Sequence, residues 1–353
     1  MRSRTLALVE ALEKRMHLSA TLKVAGTTLS ITGDNGNQIV QIMDDHLPPD
    51  RVATVVRIDA DGNGSFDDPG DISGQTFTGI EHFAVKLGAG DDELDFHLDA
   101  YFSVKKTLNA DLGNGNNTFS FGFGLSQSLS SSKLTVRLRS GNGNDKATVG
   151  LNDLKNSSVL DIRMHLGRGD DTLATNFFGD VADGSMLRLD ADLGQGNDTF
   201  HSNVDYESFD IFGPSRAILD IDGGSGSDTF AITAGNPEMG DTAHTDGEWG
   251  INLKGGSGDD TITVDLPSAD FAGSVYLHEV GGSGKDTLNA TLVAQAGSNP
   301  RLNIALLGGT GDDVLMADVS GGGSYVPRNA VLVNGNAGHD ASTTFGDAPF
   351  IVK

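Results

Sequence analysis

The sequence predicts an all-β fold: a right-handed parallel β-solenoid with one coil per 25–32 residues and one glycine-aspartate turn per coil. Three observations carry this reading. A glycine-aspartate motif recurs at near-constant spacing, apolar residues alternate with polar ones on both sides of it, and glycine is abundant (48 of 353 residues) while aromatics make up only 6%. Recurrence at a fixed period of roughly 20–50 residues marks stacked repeats rather than a single wound globule.

The motif is G-G-x-G-x-D-x-hydrophobic-x, complete at residues 223–231, 255–263, 281–289 and 308–316. Looser copies start at Leu87, Ser140, Leu166 and Leu193, and the copy from Gly335 has Asn336 at its second position. The copy from Leu112 carries Asn117 at the acidic place. Aligned there, the series runs Asp92, Asn117, Asp145, Asp171, Asp198, Asp228, Asp260, Asp286, Asp313, Asp340. A degenerate copy at residues 33–40 has Gln38 in that place, 54 residues before Asp92. Two periods fit that gap, so a missing turn is expected near Asp61, with one register from Leu22 to the end.

The flanking segments alternate as strands do. Leu160, Ile162, Met164 and Leu166 precede one turn, Leu187, Leu189, Ala191 and Leu193 the next, and Ile262, Val264 and Leu266 follow a third. Period two turns one face inward and the other to water. Stacked parallel coils and an antiparallel meander both accommodate this unit. The fixed place of the aspartate favours stacking, because a hairpin end needs no carboxylate at a constant depth.

Charge narrows the partners. With 24 basic against 49 acidic side chains the net charge is -25, which disfavours nucleic acid and anionic membrane surfaces and favours cations. There is no cysteine, hence no disulfide framework, and no apolar run long enough to cross a bilayer. Catalytic signatures fail: GGSGKDT from Gly281 has Asp286 where a phosphate loop needs Ser or Thr, and neither HExxH nor G-x-S-x-G occurs.

Carboxylates stacked about 4.8 Å apart repel by roughly 1 kcal/mol per pair in water and by more near protein. A hard divalent cation relieves this, since calcium takes carboxylate and carbonyl oxygens together. The alternative is that the aspartates only hydrogen-bond the backbone, as Asx-turn residues do.

The four complete copies resemble the hemolysin-type (RTX) calcium-binding nonapeptide. By that resemblance the metal ligands are Asp92, Asp145, Asp171, Asp198, Asp228, Asp260, Asp286, Asp313 and Asp340, while Phe230, Ile262, Leu288 and Leu315 pack inward. The departure is the spacing, because RTX arrays repeat the motif every nine residues. Asp59, Asp61 and Asn63, in DADGNG, resemble the start of an EF-hand or dockerin-type calcium loop; Gly70 stands at the twelfth place, where Asp67, Asp68 or Asp71 could substitute. Leu12, Glu13, Arg15, Leu18 and Ser19 resemble the LEPR-XLL segment of planctomycete surface and secreted proteins, with Lys14 for the motif's proline.

The expected organisation is an N-terminal segment with a short helix over 1–20, degenerate capping coils with the EF-hand-like loop over 21–75, and the solenoid over 76–353. The expected function is a non-catalytic, calcium-stabilised extracellular or cell-surface protein, its partners calcium ions and cell-surface or matrix polysaccharide or protein. The alternative is a carbohydrate-active β-helix enzyme, a lyase or epimerase. That chemistry needs Lys or Arg beside a metal on one sheet face, and the 24 basic residues show no such stripe.

Overall fold

A computed structural model describes residues 20–47, 51–98, 104–123, 128–204, 209–234, 243–245, 247–271, 273–294, 301–321, 331–346 and 349–353. The expected N-terminal helix and the LEPR-XLL-like residues lie outside the described part. Within it every regular element is a strand. No helix there is long and apolar enough to cross a membrane.

Alternation builds the strands as expected. Val159–Arg168 buries Leu160, Ile162, Met164 and Leu166 and turns Asp161, Arg163 and His165 outward. After the glycine turn, Thr172–Phe177 buries Leu173, Thr175 and Phe177. From one coil to the next the strands pair in parallel with their equivalents, so that Leu160 meets Leu187 and Leu187 meets Ala217. Strands before the turns form a 13-stranded sheet, and strands after them a 14-stranded sheet. The result is a parallel β-solenoid; the meander is excluded.

A short third side occupies the loop corner of some coils. Leu129–Ser130 pairs with Leu154–Lys155, and single bridges continue to Val181 and Ile211. The core is a continuous apolar column between these walls. Like stacks on like, with Phe200 and Phe230 centroids 6.2 Å apart and Phe96 and Phe121 6.0 Å apart.

The N-terminal end departs from the single register expected of it. Gln38 lies directly against the Asp92 turn, and Ile39–Leu47 pairs with Glu93–Leu98, so no coil lies between residues 40 and 87. Residues 51–59 and 72–78 instead extend the second sheet in antiparallel fashion, and Thr21–Ala25 does the same for the first. A gap of two periods therefore hides a hairpin insertion, not a degenerate coil. This end also holds a buried ion pair: Lys106 Nζ, from the first sheet, sits 2.5 Å from Asp44 Oδ2 in the second and donates to the Ile80 carbonyl at 3.0 Å.

Candidate metal centre

The turns stack because glycine allows them to. Gly256 and Gly258, at the second and fourth motif positions, have φ of +113° and +127°. A Cβ on Gly256 would collide with the carbonyl of Gly224 in the preceding coil. Both the left-handed backbone and the close approach thus require glycine there.

The sixth position forms one unbroken ladder. The backbone N–H of Asp145 donates to Oδ1 of Asp171 at 2.7 Å, that of Asp171 to Asp198 at 2.7 Å, and that of Asp198 to Asp228 at 2.7 Å. The series continues through Asp260, Asp286 and Asp313 to Asp340, and begins where Gln38 donates to Asp92. All nine expected motif aspartates therefore stand on one ridge, each one coil from its neighbour in the series.

The second carboxylate oxygen is the exceptional one. Oδ2 of Asp92, Asp171, Asp198, Asp228, Asp260, Asp286 and Asp313 is buried and has no hydrogen-bond partner, while that of Asp145 is buried in a carboxylate that the side chains of Ser140 and Asn117 help to hold. These residues are only 1–2% exposed. Asp340 differs, being exposed. Burial, with added repulsion from neighbouring aspartates, pushes the carboxyls of Asp92, Asp171, Asp198 and Asp260 up to about 7 and that of Asp286 to about 6, against the pull of the donated N–H. Those of Asp145, Asp228 and Asp313 are raised for the same leading reason.

Two coils with an amide at this place show what the position lacks elsewhere. Asn117 Oδ1 accepts the N–H of Asp92 at 3.0 Å, as the aspartates do, but its Nδ2 donates to the carbonyls of Gly113 and Gly115 and to Ser140 Oγ. Gln38 Nε2 likewise donates to the Gly36 carbonyl. In the aspartate coils the fourth-position carbonyls of Gly169, Gly196, Gly226 and Gly258 accept, among the described residues, no backbone N–H outside the strand ladders. There an acceptor has replaced the amide's donor, and positive charge or a proton is what the place demands.

Stitching coils together does not itself need an acid. At the loop corner Val104 N–H donates to Ser132 Oγ, Ser132 N–H to Ser158 Oγ and Ser158 N–H to Ser185 Oγ, at 3.0–3.1 Å. This serine ladder does with neutral hydroxyls what the aspartate Oδ1 atoms do. The simple Asx-turn reading accounts for Oδ1 and leaves Oδ2 unexplained. The chemistry of the place, an all-oxygen donor set with one charge per coil, fits a hard cation such as calcium.

A second ladder, running the opposite way, occupies the exposed fifth position. The N–H of Asn197 donates back to Asp170 Oδ1, that of Ser227 to Asn197 Oδ1, and that of Lys285 to Asp259 Oδ1. The acids beside the motif aspartates are thus partners of the backbone.

The loop over residues 59–71 brings Asp59, Asp61 and Asp71 together, with ligand-type oxygens within 4.8 Å of one another. Asp71, rather than Gly70, is the residue that joins the pair, and both of its oxygens accept backbone N–H groups, from Ala60 and Asp68. Asn63 instead caps Ser65 N–H and donates to Asp68. Both Asp59 oxygens already accept N–H groups, from Asp61, Gly62 and Gly64. The loop is self-satisfied in a way the ridge is not.

The stacking also assembles a short basic stripe that the linear sequence hides. Arg137 lies cross-strand from Arg163, and Arg139 from His165. Comparison of the chain with protein-family models, curated proteins and solved structures finds no match.

Proposed function

We propose that the protein is a non-catalytic, calcium-binding repeat protein, stabilised by divalent cations along the aspartate ridge and working outside the cell or at its surface. The observation that carries this reading is the row of buried, unpartnered Oδ2 atoms, set beside coils in which an amide donor fills the same place. Asp92, Asp145, Asp171, Asp198, Asp228, Asp260, Asp286 and Asp313 would hold the ions with turn carbonyls, and Asp340 would form an exposed terminal ligand. Asn117 and Gln38 would bind none. When bound, the cation supplies the positive charge that the ridge lacks. Extracellular calcium modules work at roughly 10⁻⁴–10⁻³ M, so a ridge of this kind would load outside the cell and stay bare inside it. The loop with Asp59, Asp61 and Asn63 is a weaker candidate, because its carboxylates already have backbone donors.

An enzymatic role for the ridge has less support. A catalytic metal keeps a position open to substrate, whereas these oxygens are shielded from solvent. Among the described residues the pair Arg137 and Arg163 is the feature nearest to a polysaccharide-cleaving alternative, and Arg163 is already paired with Asp161 and faces Asp190 on the next coil. Metal analysis of the purified full chain after dialysis against calcium, paired with melts in calcium and in chelator, tests the proposal. Several bound ions per chain and a large chelator-induced drop are expected. Metal-free protein with superimposable melts would sink it.

A further inference from the structure

The outward face of the first sheet carries a pocket that owes nothing to the turns. It has a volume of about 260 Å³ and opens over Gly250, in the strand Glu248–Ser257. Along the row that crosses the coils, Ile218, Gly250, Tyr276 and Asn303 are register partners. The glycine is thus a notch between two side-chain walls, one of them the ring of Tyr276, which is 40% exposed.

The fold does not require glycine there. Gly250 is absent from the left-handed glycines, and a Cβ on it would meet only ordinary contacts, the nearest being Ile218 Cγ1 at 3.7 Å. Glycine inside a strand weakens it and often marks the approach of a ligand or another backbone. Here it keeps open a place that a side chain could fill without strain.

The lining has a definite chemistry. Tyr276 offers a flat apolar face with a polar tip. Asn252 and Asn303 each present a donor and an acceptor, and His278 and Glu248 complete the rim. A flat C–H surface bordered by hydroxyls that both give and take hydrogen bonds suits such a site, and that is a saccharide ring. Charge selects further. Asp220 is the cross-strand partner of Asn252, Glu248 on the rim is already paired with Arg216, and the chain carries a net charge of -25, so uronates, sulfates and phosphates are disfavoured.

We propose that this pocket binds one unit of a neutral or amino-bearing polysaccharide, its ring against Tyr276 and its hydroxyls on Asn252, Asn303 and His278. The site is independent of cations on the ridge and goes beyond the stabilising role proposed above.

Calorimetric titration of the full chain in calcium buffer, with tetramers of glucose, mannose, N-acetylglucosamine and glucosamine and with an oligogalacturonate, tests it. At least one neutral or amino tetramer binds at about 1 mM or below, the weak end of specific affinity, and the oligogalacturonate does not. Gly250→Ile, which places in the row the residue already present at 218, weakens that binding by about tenfold or more with no fall in melting temperature. Tyr276→Ala weakens it similarly. No binding by any neutral or amino tetramer, unchanged binding by folded Gly250→Ile, or equal binding of the oligogalacturonate overturns the proposal.

Discussion

Replacing Asp198 by Asn separates the two jobs of the ridge. Oδ1 of the new amide keeps the N–H of Asp171, now held at 2.7 Å, so the coil-to-coil ladder survives. Its Nδ2 takes the place of an oxygen that is buried without a partner, and finds the carbonyls of Gly194 and Gly196 as Asn117 finds those of Gly113 and Gly115. An unpartnered buried acceptor costs about 1–3 kcal/mol, so the substitution stabilises the metal-free chain by about that much at pH 8. It also removes one cation, whose contribution at a hundredfold its dissociation constant is about 2.7 kcal/mol. Asp198→Asn therefore melts higher than the parent in chelator and no higher in calcium. At about 1.3 °C per kcal/mol for a chain of 353 residues, scanning calorimetry on the full chain resolves both differences. If the variant is destabilised in chelator as much as in calcium, the carboxylate is structural and the cation argument collapses.

Proton linkage gives the same experiment a second axis. The folded-state carboxyls of Asp92, Asp171, Asp198 and Asp260 are raised to about 7 from an ordinary 3.8. Between those values the folded chain binds more protons than the unfolded one, so stability falls as pH rises. The contribution is fully present below about 3.8 and lost above about 7. Metal-free protein therefore melts higher at pH 5 than at pH 8, and chelator matters much more at pH 8, where protons no longer substitute for the ion. A metal-free melting temperature that rises from pH 5 to pH 8 contradicts the linkage.

Four further substitutions probe the scaffold. Gly256→Ala places a Cβ against the Gly224 carbonyl at a φ of +113° and destabilises by at least about 1 kcal/mol, read as a lower urea midpoint; an unchanged midpoint would deny the close stacking of turns. Glu279 is wholly buried with both oxygens unpartnered, and burial raises its carboxyl well above the ordinary range. Its register partners are Leu253 and Leu306, so Glu279→Met raises the urea midpoint at pH 8, and a lower midpoint would mean that the acid has a partner. Lys106→Met strands Asp44 in the core and costs about 3–5 kcal/mol, whereas the double change with Asp44→Leu recovers most of the loss; failure to recover would place the cost in packing.

The repeat made most of the fold legible. Fixed spacing plus alternation gave parallel coils, and Leu160, Leu187 and Ile262 face inward as their period requires. Spacing arithmetic failed only where an insertion happened to match a period, between Gln38 and Asp92. The hairpin there keeps a glycine pair, Gly62 and Gly64, and betrays itself only at Phe66, which stands where the repeat calls for an acid or amide. At the site, the sequence placed every ridge aspartate. It did not separate Oδ1 from Oδ2, because that distinction arises only when the N–H of one coil meets the carboxylate of the next. The serine ladder was missed since Ser132, Ser158 and Ser185 lie in loops without a shared motif. Glu279 could have been found by aligning repeats, where it interrupts a column of Met164, Ala191, Ile221 and Leu253.

The mixture of acid and amide along one ridge is itself an argument about purpose. If coil stacking were all that mattered, asparagine would serve throughout, because Asn117 satisfies its own turn, its neighbour and Ser140 without any ion. Aspartate at the other positions gives up that donor and buries an acceptor beside similar acceptors one coil away. Each such coil is less stable alone than its amide counterpart and gains only when positive charge arrives. Repetition turns a local deficit into a graded one, since nearest-neighbour coupling in a solenoid lets every loaded turn support the next. On the proposed reading, a chain built this way would be loose where cations are scarce and firm where they are plentiful, and the amide at 117 would divide the ridge so that loading on one side need not propagate to Asp92.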